Sequence, residues 1–298
     1  MEVDSIVVAY KEALTDPEFD TPGKSKGLVD VFRHRYLLSL LLKKGISTRY
    51  HGSVLGWVWS YIRPAAQFLM YFLVIGVIFK ANRGIPYFPV YLFSGIVAVN
   101  LFSEALRNAT AAIVDNKALV KKIYLPRELF PLSAIGVSLV HFLPQAAVLL
   151  VVALILGWKI SFLGVGALLL GMLIIVMFSL GLGLFFGAIN VSYRDSRNIV
   201  DLILMFATWA SPVLYSWQMV KDRAPDWLYE IYMLNPMTIG VELLHTAFWF
   251  PLADGMPGSD RPEGLLMNIG WAFLIALGTL IIGQLVFRKL EGSFAQNL

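Results

Sequence analysis

Six long apolar stretches constrain the fold of this 298-residue chain more than any other feature of its sequence. Each reaches or approaches the roughly 20 apolar residues that a helix needs to cross the hydrocarbon core of a bilayer. Membrane-spanning strands would instead show weak alternation of apolar and polar residues. The sequence therefore predicts an all-α polytopic membrane protein with six transmembrane helices. The predicted spans are Val54–Phe79, Phe88–Val114, Leu129–Leu156, Phe162–Ile189, Ile199–Tyr215 and Leu265–Phe287.

The composition supports this class and excludes others. Hydrophobic residues make up 58% of the chain and charged residues 15%, whereas soluble domains carry about 25% charged residues. The chain has no cysteine, so disulfides, thiolate metal sites and cysteine nucleophiles are excluded. The net charge of +4 is too small to indicate a nucleic-acid partner.

The distribution of basic residues predicts the orientation in the membrane. Sixteen of the 24 Lys and Arg residues lie outside the spans on the side of both termini, and six lie on the opposite side. Because cytoplasmic loops are enriched in Lys and Arg, both termini are predicted to be cytoplasmic. Residues 1–27 then form a polar cytoplasmic lead-in, and residues 52–298 form the six-span transmembrane domain.

Residues 28–51, between these two regions, are predicted to form an amphipathic interface helix. From Leu28 to Lys44, apolar residues recur at helical spacing and basic residues supply the charge. Such a helix lies along the cytoplasmic membrane surface or packs on the cytoplasmic side of the protein itself, and the two arrangements are compatible. The residues assigned to it are Phe32, Arg33, Arg35, Tyr36, Lys43 and Lys44.

The cytoplasmic loop at residues 116–127 is short, basic and partly apolar, with Pro126 near its end. It is either a solvated turn held by anionic lipid head groups or a small docking helix that inserts apolar side chains into a partner. The candidate docking residues are Lys117, Leu119, Val120, Lys121, Lys122, Ile123 and Tyr124.

One face of the second span is polar. Glu104 and Arg107 are spaced to form an i,i+3 ion pair, and Asn100 and Asn108 share their face. A charge in hydrocarbon is costly unless it is paired or faces water, so this face is a hydrated path or a subunit contact. Alternatively, Arg107 reaches cytoplasmic phosphates while it neutralises Glu104.

Aromatic residues are dense on the first and fifth spans, where they either pack helices or stack on sugar rings. His141 on the third span is interpreted as a hydrogen-bonded helix contact, and no metal site is predicted. The candidate channel-lining or polar-face residues are Trp57, Tyr61, Arg63, Asn100, Glu104, Arg107, Trp209 and Tyr215.

The longest connection outside the predicted spans runs over residues 216–264. It contains two apolar segments, Trp227–Leu234 and Met237–Phe250, that are too short to cross a bilayer and are separated by Asn235-Pro236. Such segments are candidates for re-entrant or interface helices.

No energy source is visible in the chain. Gly23-Lys24-Ser25 looks like the end of a phosphate-binding loop, but that motif needs a glycine at position 18, which is Glu. A pump of this sequence would therefore need a nucleotide site on another chain.

Several motifs, taken in order, resemble permeases of ABC-type polysaccharide exporters, a family that includes exporters of O-antigen, teichoic acid and galactan. The resemblance covers the chain from about residue 28 onward. The motifs are the Thr48–Trp59 segment followed by Arg63-Pro64, the Asn116–Pro131 loop, Val191–Asp195, Ser211–Tyr215 and Asn235–Met237.

This resemblance implies a non-enzymatic subunit that forms a homodimer with two copies of a separate ATPase, which binds ATP and Mg²⁺. The chain itself would hold no cofactor. Its substrate would be a polysaccharide linked to a polyprenyl pyrophosphate, moved to the outer face of the bacterial cell membrane. The resemblance also makes the Lys117–Tyr124 segment the element moved by the ATPase, and residues 226–250 a pair of re-entrant helices at the outer exit.

Besides a passive channel, which would transport its substrate without ATP, two alternatives remain open at this stage. The first is a permease that exports drugs or other small molecules. The second is a membrane-embedded glycosyltransferase, which would need clustered carboxylates for a divalent ion. The cytoplasmic acids of this chain are instead scattered singly, as at Asp115, Glu128, Asp195 and Asp201.

Overall fold

The computed structural model of the protein describes residues 27–31, 33–49, 52, 54–80, 84–122 and 125–298. All regular secondary structure in these residues is helical, which confirms the predicted all-α class. The helices are α1 (Leu28–Val31), α2 (Arg35–Arg49), α3 (Trp59–Tyr71), α4 (Phe88–Asp115), α5 (Lys117–Lys122), α6 (Leu129–Ile155), α7 (Phe162–Ser192), α8 (Ser196–Ala207), α9 (Trp217–Lys221), α10 (Asp226–Leu234), α11 (Pro236–Leu244), α12 (Phe250–Ala253), α13 (Leu265–Leu290) and α14 (Phe294–Asn297).

Short non-α segments extend three of these helices. A 3₁₀ turn at Gly56–Val58 precedes α3, and a π-helical segment at Phe72–Ile78 continues it. A second π-helical segment, His245–Trp249, joins α11 to α12, and a 3₁₀ turn at Glu291–Ser293 follows α13.

Five helical stretches in the described residues are long and apolar enough to cross a membrane. They agree closely with five of the six predicted spans, because a run of about 20 apolar residues is a local signal that needs no tertiary information. The five stretches are Gly56–Ile78, Phe88–Asp115, Leu129–Ile155, Phe162–Ser192 and Leu265–Ser293.

The predicted fifth span, Ile199–Tyr215, is not one long helix. Helix α8 has 12 residues and ends at Ala207, after which the backbone turns. At about 1.5 Å per residue, α8 is roughly 18 Å long, shorter than the hydrocarbon core of about 30 Å. Pro212 has no N–H to continue the helix, and the Ser211 hydroxyl instead donates a 2.7 Å hydrogen bond to the carbonyl of Ala207.

The predicted N-terminal helix is divided into two. Helix α1 and helix α2 are separated by a turn at Arg33 and His34, and Phe32 lies outside the described residues. Helix α2 packs along α6. Glycine residues on both helices allow this close contact. A Cβ atom at Gly136 of α6, for example, would collide with the side chain of Leu42 on α2. The alternative in which this helix packs on the protein itself is therefore confirmed.

Helix α4 is the centre of the molecule. It is the most buried of the candidate spans, and it packs against both α6 and α7. Its large side chains, including Tyr91, Phe102 and Leu106, are almost completely buried. The buried part of α4 is therefore enclosed by the helices around it.

Helices α7 and α13 approach each other closely at Gly181. A Cβ atom at this position would lie 2.6 Å from the backbone of Thr279 and Leu280. Small residues permit such approach between membrane helices.

The connection between α8 and α13 folds into a helical layer of α9 to α12. All residues of α11 and of the π-helical segment that follows it are buried. The two apolar segments predicted in this connection are thus helical, with the break at Asn235, whose side chain caps α11 by accepting a 3.0 Å hydrogen bond from the backbone N–H of Met237.

Candidate functional site

A polar cleft of about 620 Å³ opens between α3, α4 and α6. It lies along membrane-spanning segments, where unpaired polar side chains are costly. We call it the polar cleft. Its lining residues are Trp59, Ser60, Arg63, Pro64, Gln67, Asn100, Ser103, Glu104, Arg107, Asn108, His141 and Gln145.

The cleft continues toward α8. A second recess of about 590 Å³ is lined by Gln67, Asn100, Ser103 and Arg107, which also line the polar cleft. From α8 and the turn after it, Asp201 and other residues complete this recess. The two recesses form one polar surface that crosses from α6 to α8.

Side-chain hydrogen bonds join α4 to α6 inside the cleft. The Asn100 amide donates to the Gln145 amide oxygen at 3.2 Å, and the Asn108 amide donates to the Ser138 hydroxyl at 2.9 Å. Hydrogen bonds of this kind stabilise helix pairs within membranes by about 1 kcal/mol each. The two helices are therefore held in fixed register along the polar face.

Glu104 and His141 form a further side-chain contact between the same two helices. The Nδ1 atom of His141 lies 2.9 Å from Oε1 of Glu104, and the imidazole is almost fully buried. The indole of Trp57 packs edge-on against His141, with ring centroids 5.8 Å apart. The interpretation of His141 as a hydrogen-bonded helix contact is confirmed.

Arg107 makes its ion pair with α8. Its guanidinium lies 3.0 Å from the Asp201 carboxylate, and both side chains are more than half exposed. A second ion pair joins Arg197 of α8 to Asp115 of α4 at 2.7 Å. It lies one helical turn from Asp201 on α8 and two turns from Arg107 on α4. The sequence predicted an i,i+3 pair between Arg107 and Glu104, but the structure places a partner for each of them on another helix.

Asp201 was not among the predicted site residues. The sequence feature that could have indicated the pairing of Asp201 is the order of the charges. Arg precedes Asp on α4 (Arg107, Asp115) and again on α8 (Arg197, Asp201). Two helices with this order pair both charges only when they pack antiparallel, as α4 and α8 do. Recognising the signal requires knowing that the two helices are neighbours.

The remaining predicted lining residues do not share one surface. Arg63 faces the polar cleft, with its guanidinium 5.8 Å from the centre of the Trp59 ring. Tyr61 lines a separate apolar groove. Trp209 is exposed in the turn after α8, and its carbonyl accepts a hydrogen bond from the Tyr215 hydroxyl.

The predicted docking loop contains a helix, α5. Its basic residues Lys117, Lys121 and Lys122 are exposed, whereas Val120 is buried in a cluster of apolar side chains. Leu119 is partly buried against the same cluster. The sequence had suggested that Val120 inserts into a partner. In the structure it packs within the chain instead. Ile123 and Tyr124 lie outside the described residues.

The interface helix α2 contacts the start of this region. The Lys44 ammonium donates a 2.9 Å hydrogen bond to the Asn116 amide oxygen, directly before α5. The other basic and aromatic residues assigned to the interface helix, Arg33, Arg35, Tyr36 and Lys43, are exposed. The hydrogen bond from Lys44 joins α2 to the residue that precedes α5.

A buried polar cluster at the opposite end of α4 was missed by the sequence analysis. His245 stacks on Tyr91 with ring centroids 3.9 Å apart, and its Nε2 atom lies 3.1 Å from the Tyr91 carbonyl oxygen. The carboxylate of Glu242 lies 3.8 Å from the other ring nitrogen, and the indole of Trp249 donates to the carbonyl of Pro86. Glu242 and His245 stand three residues apart, a helical spacing that the sequence does show, but the contact of His245 with Tyr91 depends on the tertiary structure.

Two tyrosines of α10 lie near this cluster. Burial, with a further contribution from the Glu242 and Glu263 carboxylates, raises the pKa of Tyr229 to about 12. Burial also raises the pKa of Tyr232 well above its usual value.

Within the part of the chain that the structure describes, no three His, Asp or Glu side chains are grouped closely enough to hold a metal ion. Two Arg–Asp ion pairs join α4 and α8 instead, Arg107 with Asp201 and Arg197 with Asp115.

Comparison with known proteins gives one family and a consistent set of relatives. A family model described as ABC-2 type transporter matches residues 36–249. The chain is 31% identical over 212 residues to the O-antigen export system permease protein RfbA of Myxococcus xanthus, covering 70% of this chain and 78% of that protein.

Two further relatives match more of the chain at lower identity. An O-antigen export system permease protein RfbA of Klebsiella pneumoniae is 25% identical over 270 residues, covering 88% of this chain and 95% of the relative. The polysialic acid transport protein KpsM of Escherichia coli is 25% identical over 255 residues, covering 84% of this chain and 92% of the relative.

Proposed function

Because the chain belongs to the ABC-2 type transporter family, we propose that it is the permease subunit of an ATP-driven polysaccharide exporter. Its substrate is a lipid-linked cell-surface polysaccharide, moved from the cytoplasmic to the outer face of the bacterial inner membrane. The relatives named for O-antigen export and polysialic acid transport support this class of substrate.

The observation that carries the proposal is the polar cleft. Amide, hydroxyl and charged side chains line it along spans that are otherwise apolar. A polysaccharide presents many hydroxyl groups, each of which donates and accepts hydrogen bonds. A surface such as this one can exchange hydrogen bonds with successive sugars as the polymer slides.

Two copies of the chain form the channel in this proposal. In one copy the cleft is open, and Arg63 and Arg107 are exposed. The first span, which forms one wall, is only 11% buried. Its apolar residues Leu69 and Met70 are 55% and 54% exposed, so a second copy packed there would cover apolar surface and close the cleft.

Helix α8 and the turn after it provide the sixth crossing, and both termini lie in the cytoplasm. Because α8 is short, the turn from Thr208 to Ser216 lies at membrane depth and must be covered by protein. Helices α10 to α12 supply that cover as re-entrant helices: the Asn235 amide and the Thr238 hydroxyl both donate to the carbonyl of Ala210 in this turn.

The energy comes from two copies of a separate ATPase subunit, which holds ATP and Mg²⁺. Exposed lysines on α5 offer a basic docking surface, and the hydrogen bond from Lys44 to Asn116 links that surface to the interface helix. A push on α5 is in this way applied to α4 and α2 together.

Deletion of the gene in its host tests the proposal. We expect surface polysaccharide to disappear while the lipid-linked polymer accumulates inside the cell, and expression of the wild-type chain to restore export. Purification of the tagged chain in mild detergent should recover an ATPase in equal amount. Unchanged surface polysaccharide, together with increased sensitivity to a drug, would instead support a small-molecule exporter and contradict the proposal.

A further inference from the structure

The chain after the last candidate span packs onto the docking helix α5. A 3₁₀ turn at Glu291–Ser293 and helix α14 follow α13, and α14 packs against both α5 and α7. We call residues 291–298 the clasp. Phe294 in the clasp is completely buried, in the same cluster of apolar side chains as Val120 of α5. The clasp therefore completes the surface on which α5 rests.

Helix α5 is too short to hold its own position. Its six residues, all of which the structure describes, extend only about 9 Å, and isolated helices of this length are unstable in water. Val120 is the one residue among the six that is buried, whereas the three lysines are exposed. The position of the lysines therefore depends on the apolar cluster that receives Val120.

Phe294 connects this cluster to the last span and to the turn after α5. Its ring meets the ring of Phe287 on α13 nearly edge-on, with centroids 5.3 Å apart. The guanidinium of Arg127, in the turn directly before α6, lies 5.6 Å from the centre of the Phe294 ring. Aromatic rings pack favourably in edge-on pairs and beneath guanidinium groups. Phe294 thus contacts both the last span and the segment that leads from α5 to α6.

Two hydrogen bonds fasten the clasp and the last span to their neighbours. The Asn297 amide donates to the Ser192 hydroxyl at 2.9 Å, where α7 ends. The Gln284 amide on α13 donates at 2.9 Å to the carboxylate of Glu128, a completely buried residue directly before α6. The clasp is thus held at its far end, and the last span is held to the start of the helix that follows α5.

We propose that the clasp positions α5 for docking of the ATPase, with Phe294 as the central positioning residue. Through Phe294, the last span is joined to the docking helix, although the two lie far apart in the sequence. The inference rests on the proposed function, because that function assigns the docking of a separate ATPase to α5. If the clasp served packing alone, its loss would lower the stability of the chain and leave the affinity for the ATPase unchanged.

Binding of the ATPase tests this role directly. The full chain in phosphatidylcholine nanodiscs is titrated with the ATPase subunit that copurifies with it, carrying a fluorescent label. We expect the dissociation constant to rise about tenfold in Phe294→Ala and in Val120→Ala, because an α5 without a fixed position must become ordered on binding. With both substitutions we expect a rise close to that of either alone, since the two side chains belong to one cluster.

Two further variants separate positioning from packing. Phe294→Leu keeps much of the apolar volume, so we expect it to retain most of the affinity. Phe248→Ala removes a buried ring at the other end of α4, where Phe248 stacks on Trp158, and should lower stability without changing the affinity. A wild-type dissociation constant in Phe294→Ala, or an equal rise in Phe248→Ala, would overturn the inference.

A variant of Asn297 keeps the test valid if Phe294→Ala does not fold. Asn297→Ala removes an exposed side chain and its hydrogen bond to Ser192, so the core stays intact. In that case we expect about threefold weaker binding, and wild-type affinity would overturn the inference. A wild type that binds the ATPase no better than these variants overturns this inference alone, whereas a wild type that binds no ATPase overturns the proposed function as well.

Discussion

The guanidinium of Arg107 on α4 lies 3.0 Å from the carboxylate of Asp201 on α8, joining two helices whose charged residues are 94 positions apart in the chain. Together with Arg197 and Asp115, this pair fastens α8 to the side of α4. Helix α8 also forms one side of the polar surface. The position of α8 therefore determines how wide the polar surface opens.

We predict that Asp201→Asn reduces polymer export about threefold or more, with little change in stability. Half-exposed ion pairs contribute only about 0.2–1 kcal/mol to stability, whereas a displaced α8 changes the shape of the cleft. The double variant Arg107→Asp with Asp201→Arg should recover much of the lost export. Export is measured as surface polysaccharide, and folded protein as the monodisperse fraction in detergent.

Asp222→Asn serves as a control for this prediction, since Asp222 is an exposed acid on the connection between α8 and α13. Equal losses of export in Asp222→Asn and Asp201→Asn would show that charge removal in general, and not the joining of α8 to α4, explains the effect.

For the contact between Glu104 and His141, we predict that His141→Ala destabilises the protein more than Glu104→Gln does. His141→Ala leaves a carboxylate between helices without its imidazole partner, which costs about 1–3 kcal/mol or more. A glutamine at position 104 keeps a hydrogen bond to the imidazole. The measurement is the temperature at which half of the detergent-solubilised protein aggregates, and a lower temperature for Glu104→Gln than for His141→Ala would contradict the prediction.

The part of the fold that sequence could predict is the part set by local patterns. Five spans follow from continuous apolar runs, and helical spacing places Asn100, Glu104 and Arg107 on one face of α4. The ion-pair partners could not be predicted in this way. Arg107 has an acid three residues away, yet its partner is Asp201, because the choice depends on which helices become neighbours.

The same reasoning explains the other differences. Val120 has the residue type of an exposed docking contact, and only the packing of α5 on the chain shows that it is buried. Ile199–Tyr215 has the composition of a span, but the turn at Ser211 and Pro212 is stabilised by contacts from Asn235 and Thr238, which lie far along the chain. Apolar composition alone does not report such contacts.

For the docking surface, we predict that Lys121→Glu combined with Lys122→Glu lowers export by roughly tenfold while the protein still inserts. Both side chains are exposed at the end of α5, so reversing their charge repels an acidic docking surface without disturbing the core. ATP hydrolysis by the purified complex should no longer change with substrate. The control is Lys159→Glu, which changes an exposed lysine beyond the opposite end of α6 and should leave export normal. Normal export by the double variant would exclude a docking role for Lys121 and Lys122.

The close approach of α7 and α13 gives the last prediction. Gly181→Ala places a Cβ atom 2.6 Å from the backbone of Thr279 and Leu280. Because these are backbone atoms and not the end of a flexible side chain, the clash is relieved only if helix α13 shifts away from α7. We expect a loss of about 1–3 kcal/mol of stability, typical of overpacking. Gly278→Ala on α13 is the matched control: a Cβ atom there meets nothing within 4 Å, and alanine favours the helix. Stability is compared by the denaturant concentration at the unfolding midpoint, and equal midpoints for the two variants would show that α7 and α13 are not packed as closely as the structure places them.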